Sequence, residues 1–292
     1  MNLGNILDVG VPKFLFRNLL FKFHFIVRKE PIDFPLQSGV VMHLPLSNSN
    51  YSSEIFTTNG NVDWESERLL IAYLKARKDA TAGAFYDVGA HIGYYSLLAS
   101  PFVSSVHAFE PDPRNQAGLA VNVKRVRNMQ VVEKAVGNRV GTASLCVGDE
   151  SSVSHLASNS DSPKSNHPVA ITTLDAFAAS ESCPPCAIKV DIEGFDIDAI
   201  AGAQNILTVH RPLILTEFGI ELGRPNSYGH LFQLLEKMKY DCFAVVRHNW
   251  FWLSRKNFLK KLDQTSLQAA RTKMLFLVPR EDPFFTEKLG GV

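Results

Sequence analysis

The chain has 292 residues, 46% of them apolar and 20% charged, and its 30 lysines and arginines nearly cancel 29 aspartates and glutamates. These values exclude a disordered chain, and a net charge of +1 argues against a general nucleic-acid binder. Four cysteines in this length do not make a disulfide framework, and no long uncharged apolar run offers a spanning helix.

Residues 1–30 read as helix. The most apolar stretch, Phe14 to Val27, is interrupted by Arg17, Lys22 and His24 and lacks the clean apolar centre of a secretory signal. Such a segment either packs on its own domain or lies on a membrane or a partner, so residues 11–29 offer a peripheral membrane contact. The expected location is cytoplasmic, membrane-peripheral if that contact is made. Residues 31–62 hold short extended runs, including Gly39 to Met42, between turn-like clusters such as Ser47 to Asn50. From Glu65 to Lys78 the apolar spacing fits a helix, and the Asp63 carboxylate can cap its start.

A strand–helix alternation follows. Strands are expected at Ala84–Val88, Ser105–Phe109, Met129–Val136, Ala187–Val190, Pro212–Glu217, Cys242–Val246 and Met274–Val278. Helices are expected over Tyr94–Ala99, Asn115–Val126, Asp196–Leu207 and Tyr228–Met238. Single helices between strands imply crossovers, hence a mainly parallel sheet covered on both faces, with its ligand at the carboxyl ends of the strands. Glu150–Pro168, rich in serine and asparagine, reads as a mobile excursion. Arg247–Lys273 carries Trp250, Phe251 and Trp252 among many cations and reads as a lid, an acceptor-binding element, or a helical hairpin with a solvated basic face.

The first chemical motif is Asp87-Val88-Gly89-Ala90-His91-Ile92-Gly93, a strand running through a glycine turn into a helix. A dinucleotide site is the rival reading. However, His91 stands where a dinucleotide fingerprint needs a glycine, and Asp87 would repel a pyrophosphate. The Asp87 carboxylate suits an ammonium, and backbone N–H groups of the turn suit a carboxylate. Glu110, 23 positions on at the tip of the next strand, can accept hydrogen bonds from both hydroxyls of a ribose. S-adenosylmethionine carries all three groups. Further along, Lys189, Asp191 and Glu193 cluster at the end of the fourth strand; Lys189 and Asp191 share a face, and Glu217 could pair with Lys189 across the sheet.

DVGAHIG, FEP, the TLD of Thr173 to Asp175, KVDIEG and a strand ending in TEF follow one another as in the FkbM family of S-adenosylmethionine-dependent methyltransferases, which the chain resembles over roughly residues 60–280. The resemblance implies a class I methyltransferase (Rossmann-like) fold, a mainly parallel seven-stranded α/β sheet with helices on both faces. It implies O-methylation of a hydroxyl, often on a sugar or secondary metabolite, so the expected acceptor is a small molecule or glycan and not a nucleic acid. Asp87, Gly89 and Glu110 match the family's cofactor positions, and Ala90 and Gly93 belong to the same turn. Asp191 matches the acid beside the transferred methyl, with Glu193 as the second catalytic candidate. Many members have asparagine where His91 stands. The expected organisation is an N-terminal extension over 1–62 and a methyltransferase domain over 63–292, carrying insertions at 150–168 and 247–273.

Cys183-Pro-Pro-Cys186 precedes a strand, not a helix, which disfavours a redox motif and favours a plain loop. Asp191, Glu193 and Glu217 could offer oxygen ligands to Mg²⁺, but pairing with Lys189 disfavours this and no metal site is assigned. The alternatives to methyl transfer are an NAD-dependent oxidoreductase on a similar sheet and a non-catalytic nucleotide-binding module.

Overall fold

The computed structural model describes residues 9–77, 82–146, 155–156, 166–192, 194–217, 227–250 and 254–288. The described chain opens with helix α1 (Val11–Lys22), continued by a wider turn over Phe23–Arg28 and ended by Lys29 in a left-handed conformation. Strands β1 (Ile32–Pro35) and β2 (Val41–Leu44) form an antiparallel pair. The Ser47–Asn50 cluster, read as a turn, instead leads into helix α2 (Ser49–Thr57). Helix α3 (Ser66–Ala76) follows; its N-cap is Glu65, in a left-handed conformation, not Asp63.

The alternation then runs β3 (Ala84–Val88), α4 (Tyr94–Ala99), β4 (Ser105–Phe109), α5 (Pro113–Val123) and β5 (Met129–Val132). Pro113 opens α5 and the Asp112 carboxylate caps it by accepting from the Arg114 N–H, a helix start that uses proline where no N–H is needed. The run expected as one strand to Val136 divides. Residues Ala135–Val136 (β6) leave the main sheet and join β7 (Gly141–Cys146), β8 (His155–Leu156) and β9 (Asn166–Thr172) in a separate four-stranded sheet. Most of the serine-rich excursion lies outside the described residues.

Helix α6 (Leu174–Ala178) is capped by the Thr173 hydroxyl, and Asp175 accepts from the N–H groups of Asn205 and Ile206. The TLD motif thus fixes the start of a later helix. After β10 (Pro185–Val190), the single helix expected over Asp196–Leu207 is two, α7 (Asp196–Ala201) and α8 (Gln204–Val209). The break is at Gly202, where a Cβ would lie 2.3 Å from the Gly137 carbonyl oxygen. The chain ends with β11 (Leu213–Glu217), α9 (Ser227–Met238), β12 (Tyr240–Trp250), β13 (Ser254–Leu262), α10 (Gln264–Ala269), β14 (Met274–Pro279) and α11 (Phe284–Glu287).

The main sheet has eight strands in the order β13-β12-β14-β11-β10-β3-β4-β5. Only β13 and β14 run against the rest, since β14 is antiparallel to both its neighbours and β13 is antiparallel to β12. The eighth strand comes from the 247–273 stretch, which is not a helical hairpin: its Ser254–Leu262 pairs with β12 as an antiparallel edge strand, and its last residue, Lys273, reaches the cavity described below. Consecutive residues alternate between two cores. Phe85, Leu215 and Phe276 face one side, Tyr86, Ile214 and Leu275 the other, and helices cover both. Phe21, Phe34, Met42 and Ile55 of the N-terminal segment pack into the first of these cores, so that segment closes one face of the sheet.

Candidate functional site

Chain order reverses between β3 and β10, and the carboxyl ends of β4, β3, β10 and β11 bring Glu110, Gly89, Asp191 and Glu217 to one cavity of about 290 Å³. Gly89 has φ +77°, and a Cβ there would stand 1.9 Å from the Asp191 carbonyl oxygen. The two motifs therefore touch backbone to backbone, and only glycine fits. The N–H groups of Gly89 and Ala90 both donate to the Phe109 carbonyl, at 3.0 and 2.9 Å, and the Asp191 N–H donates to the Val88 carbonyl at 3.0 Å.

His91 takes the left-handed region at φ +52°, one that asparagine and histidine tolerate better than most residues. Its N–H donates to Glu110 Oε2 at 2.7 Å, while Glu110 Oε1 accepts from the Asp112 N–H at 2.9 Å. Glu110 is buried, and burial raises its pKa to about 7 against those two bonds and one from the Asn115 side chain. The His91 ring meets Tyr51 edge-on at 4.8 Å; burial, with Lys189 adding to it, lowers its pKa to about 4 and leaves it neutral at pH 7. Gly93, at φ +88°, lies off the cavity and against Leu119 and Met129.

Asp87 is fully buried and is not among the lining residues. Ser96 Oγ donates to its Oδ2 at 2.6 Å, and its Oδ1 lies 3.9 Å from Lys189 Nζ with no hydrogen-bond partner. Lys189 does reach the cavity. Its ammonium donates to the Gly89 carbonyl at 3.1 Å and pairs with Asp191 Oδ2 at 3.0 Å. Burial alone would lower the Lys189 pKa, but Asp191 and Asp87 outweigh it and hold the group charged. The ion pairs expected between Lys189 and Glu217 are made with these two aspartates; Glu217 acts electrostatically on Lys273. Asp191 is the more open partner, its side chain 32% exposed to the cavity. Glu193, the second catalytic candidate, lies outside the described residues.

The rest of the lining, an assembled wall, includes residues that sequence reasoning did not select for the site. Tyr51 and Glu54 come from α2, Asp63 from the turn before α3, Tyr95 from α4, and Lys273 from the bend just before β14. Tyr95 donates its hydroxyl to Asp63 Oδ2 at 2.7 Å. Lys273 Nζ lies 3.7 Å from Asp63 Oδ1 and 3.5 Å from Glu54 Oε1 and donates to the Val62 carbonyl. Burial raises the Asp63 pKa and Lys273 opposes this. Beneath, Glu67 accepts from the Asp63 N–H and the Tyr94 hydroxyl, and burial pushes its pKa up to about 8. The Asp63 side chain therefore serves the cavity while Glu67 secures the turn.

Away from the cavity, the thiols of Cys183 and Cys186 donate to the carbonyls of Ala82 and Ala84. Among the described residues no cluster of three or more histidine, cysteine or acidic side chains is arranged to hold a metal.

The reversed strand between β11 and β12, with a cavity of acids at the switch point, defines a class I methyltransferase fold. A model of the methyltransferase FkbM domain matches residues 87–242, and the chain belongs to that family. No curated protein matches the sequence. Methyltransferase FkbM from Methylobacillus flagellatus KT is a similar solved structure, 14% identical with a TM-score of 0.44, aligned over 92% of this chain and 60% of its own length. Magnesium protoporphyrin IX methyltransferase from Synechocystis PCC 6803, with bound SAM, is 7% identical with a TM-score of 0.41, over 74% of this chain and 78% of that one. An S-adenosylmethionine-dependent O-methyltransferase from Thermotoga maritima is 9% identical with a TM-score of 0.39, over 74% and 65%.

An acceptor of this motif wall fits the ribose of S-adenosylmethionine, whereas the N–H groups of Gly89, Ala90 and His91, expected to meet its carboxylate, already donate to the Phe109 carbonyl and to Glu110. Glu110 keeps acceptor capacity for a ribose hydroxyl beyond its two backbone bonds and the bond from the Asn115 side chain. Asp87, expected to meet the cofactor's ammonium, instead has its buried, unbonded Oδ1 3.9 Å from the Lys189 ammonium, and it is Lys189 that lines the cavity.

Proposed function

We propose that this protein transfers a methyl group from S-adenosylmethionine to a hydroxyl of a small molecule or glycan, a sugar or secondary metabolite being the class of acceptor. The observation that carries the reading is the convergence of Glu110, the Gly89 turn and Asp191 on one cavity. When bound, the cofactor supplies a methyl on a sulfonium whose departure needs no acid. Glu110 holds the ribose, Ala90 and His91 form the turn beside it, and Asp87 acts through Lys189 from below the floor. Gly93 shapes the turn.

A hydroxyl attacks poorly until its proton is taken. Asp191 is the group for that role, because it is open to the cavity and fixed by Lys189 at 3.0 Å. Held at one point, it orients the acceptor oxygen as well as receiving its proton, and orientation supplies much of the rate of an in-line displacement. The assembled wall of Tyr51, Asp63, Tyr95 and Lys273 offers hydroxyls and charges of both signs, a lining suited to a polyhydroxylated acceptor.

Calorimetric titration tests the reading. S-adenosylmethionine and its demethylated product should bind, and NAD should not. Binding of NAD with no heat from S-adenosylmethionine would overturn it.

A further inference from the structure

Helix α1 and the turn after it present two faces. Inward, Phe14 and Phe21 are buried, and the Phe21 ring meets Phe56 of α2 at 5.9 Å. Arg17 donates from Nε to the Phe56 carbonyl, and its guanidinium lies 4.6 Å over the Phe56 ring. The segment is thus clamped to the helix that supplies Tyr51 and Glu54 to the cavity.

Outward, Val11, Leu15, Phe16, Leu19, Phe23, Phe25, Ile26 and Val27 are exposed, with Leu15 at 56%, Phe16 at 67% and Leu19 at 69%. Among the described residues, every exposed large apolar side chain outside this segment is a valine, and those are scattered at positions 41, 121, 140 and 209. Scattered single residues are ordinary on a protein surface, whereas a contiguous set of leucine, isoleucine and phenylalanine marks a surface that is covered by something else.

Charge decides what covers it. Residues 11–29 hold Lys13, Arg17, Lys22, Arg28 and Lys29 and no acidic residue. Lys13, Lys22, Arg28 and Lys29 are exposed, Arg28 lying 3.7 Å from Glu30 just past the segment. A two-fold contact between copies would set this cationic segment against itself, which is unfavourable. Anionic headgroups complement it, and lysine and arginine stems can lie along the apolar face while their charges reach the headgroups. No helix among the described residues is long and apolar enough to cross a membrane, so the segment lies on the surface and does not span. We propose that residues 11–29 dock the protein onto an anionic membrane surface.

The test is flotation of the full chain with phosphatidylcholine vesicles, with and without phosphatidylserine. The bound fraction should rise by about tenfold or more with phosphatidylserine and fall as salt is raised. The triple variant Leu15→Ser, Phe16→Ser, Leu19→Ser should lose about tenfold or more of that binding while keeping its melting temperature, since all three side chains are exposed. Reversing Lys13, Lys22 and Lys29 to glutamate should abolish the preference for phosphatidylserine. Equal flotation of wild type and the triple variant would overturn the proposal, as would no flotation of the wild type on either vesicle. Sedimentation equilibrium supplies a further contrary outcome: a dimer that the triple variant dissociates would show that a second copy covers this face.

Discussion

The two walls of the cavity were built from the sequence in different ways. The motif wall comes from two short runs, residues 89–91 and 110–112, with Lys189 and Asp191 joining it from the end of β10, and its contacts are largely backbone to backbone or backbone to carboxylate. The assembled wall takes Tyr51, Glu54, Asp63, Tyr95 and Lys273 from four separate elements and holds them by side-chain bonds and ion pairs. A wall made of turns tolerates little change in residue type. A wall made of side chains can be rewritten one residue at a time while the sheet stays intact, which is where acceptor choice would reside.

The largest expected effect is on the motif wall. Gly89→Ala places a Cβ against the Asp191 carbonyl at a positive φ, so both strand ends must separate. Loss of stability should reach about 4 kcal/mol or more, read by denaturant unfolding, with loss of cofactor binding in whatever still folds. A fully stable Gly89→Ala protein would show that the two motifs do not meet as described.

Asp191 lines the same cavity, and its variant separates binding from chemistry. Asp191→Asn keeps the shape and removes the charge, so turnover should fall roughly 10²–10⁴-fold while cofactor affinity barely moves. Parallel collapse of affinity and turnover would reassign Asp191 to holding Lys189 in place.

A smaller effect belongs to the layer under the assembled wall. Burial raises the Glu67 pKa to about 8, so the folded state keeps a proton that the unfolded chain releases at ordinary carboxylate pH. The sign follows directly: stability falls as pH rises from about 5 to about 8 and then levels off. Glu110 and Asp196, both raised to about 7 by burial, contribute to the lower part of that fall. Glu67→Gln retains an acceptor for the Asp63 N–H and the Tyr94 hydroxyl without the charge. It should remove the fall between pH 7 and 8 and raise the melting temperature at pH 8 by about 4 °C or more. An unchanged pH profile would place the titrating group elsewhere.

The same contrast explains what could be read in advance. Ala84–Val88, Ser105–Phe109 and Tyr94–Ala99 coincide with the elements expected, because short apolar strands and glycine turns are local signals. The placement of Glu110 and Asp191 at strand tips beside a turn was legible for the same reason. Tyr95 was not, because on α4 it reads as one more core aromatic; Lys273 was lost among the cations of its stretch. Asp63 was taken for a helix cap, and only the folded chain shows Glu67 doing the neighbouring backbone work. Strand β13 was missed because Lys260 and Lys261 break the alternation of a half-buried strand, as lysines do on an edge that must not recruit another chain. Asp87 was placed correctly at the end of β3, but its burial beneath Lys189 depends on the register of β3 with β10, which sets Lys189 opposite Asp87.

One measurement bears most directly on the division between the walls: calorimetric titration of S-adenosylmethionine into Glu110→Ala and, in parallel, Asp63→Asn. Glu110→Ala should lose ~1.5–3 kcal/mol of binding, the scale of hydrogen bonds to a charged group, while Asp63→Asn should bind the cofactor as the wild type does. Full affinity in Glu110→Ala, or an equal loss in Asp63→Asn, would contradict the assignment of cofactor to the motif wall and acceptor to the assembled one.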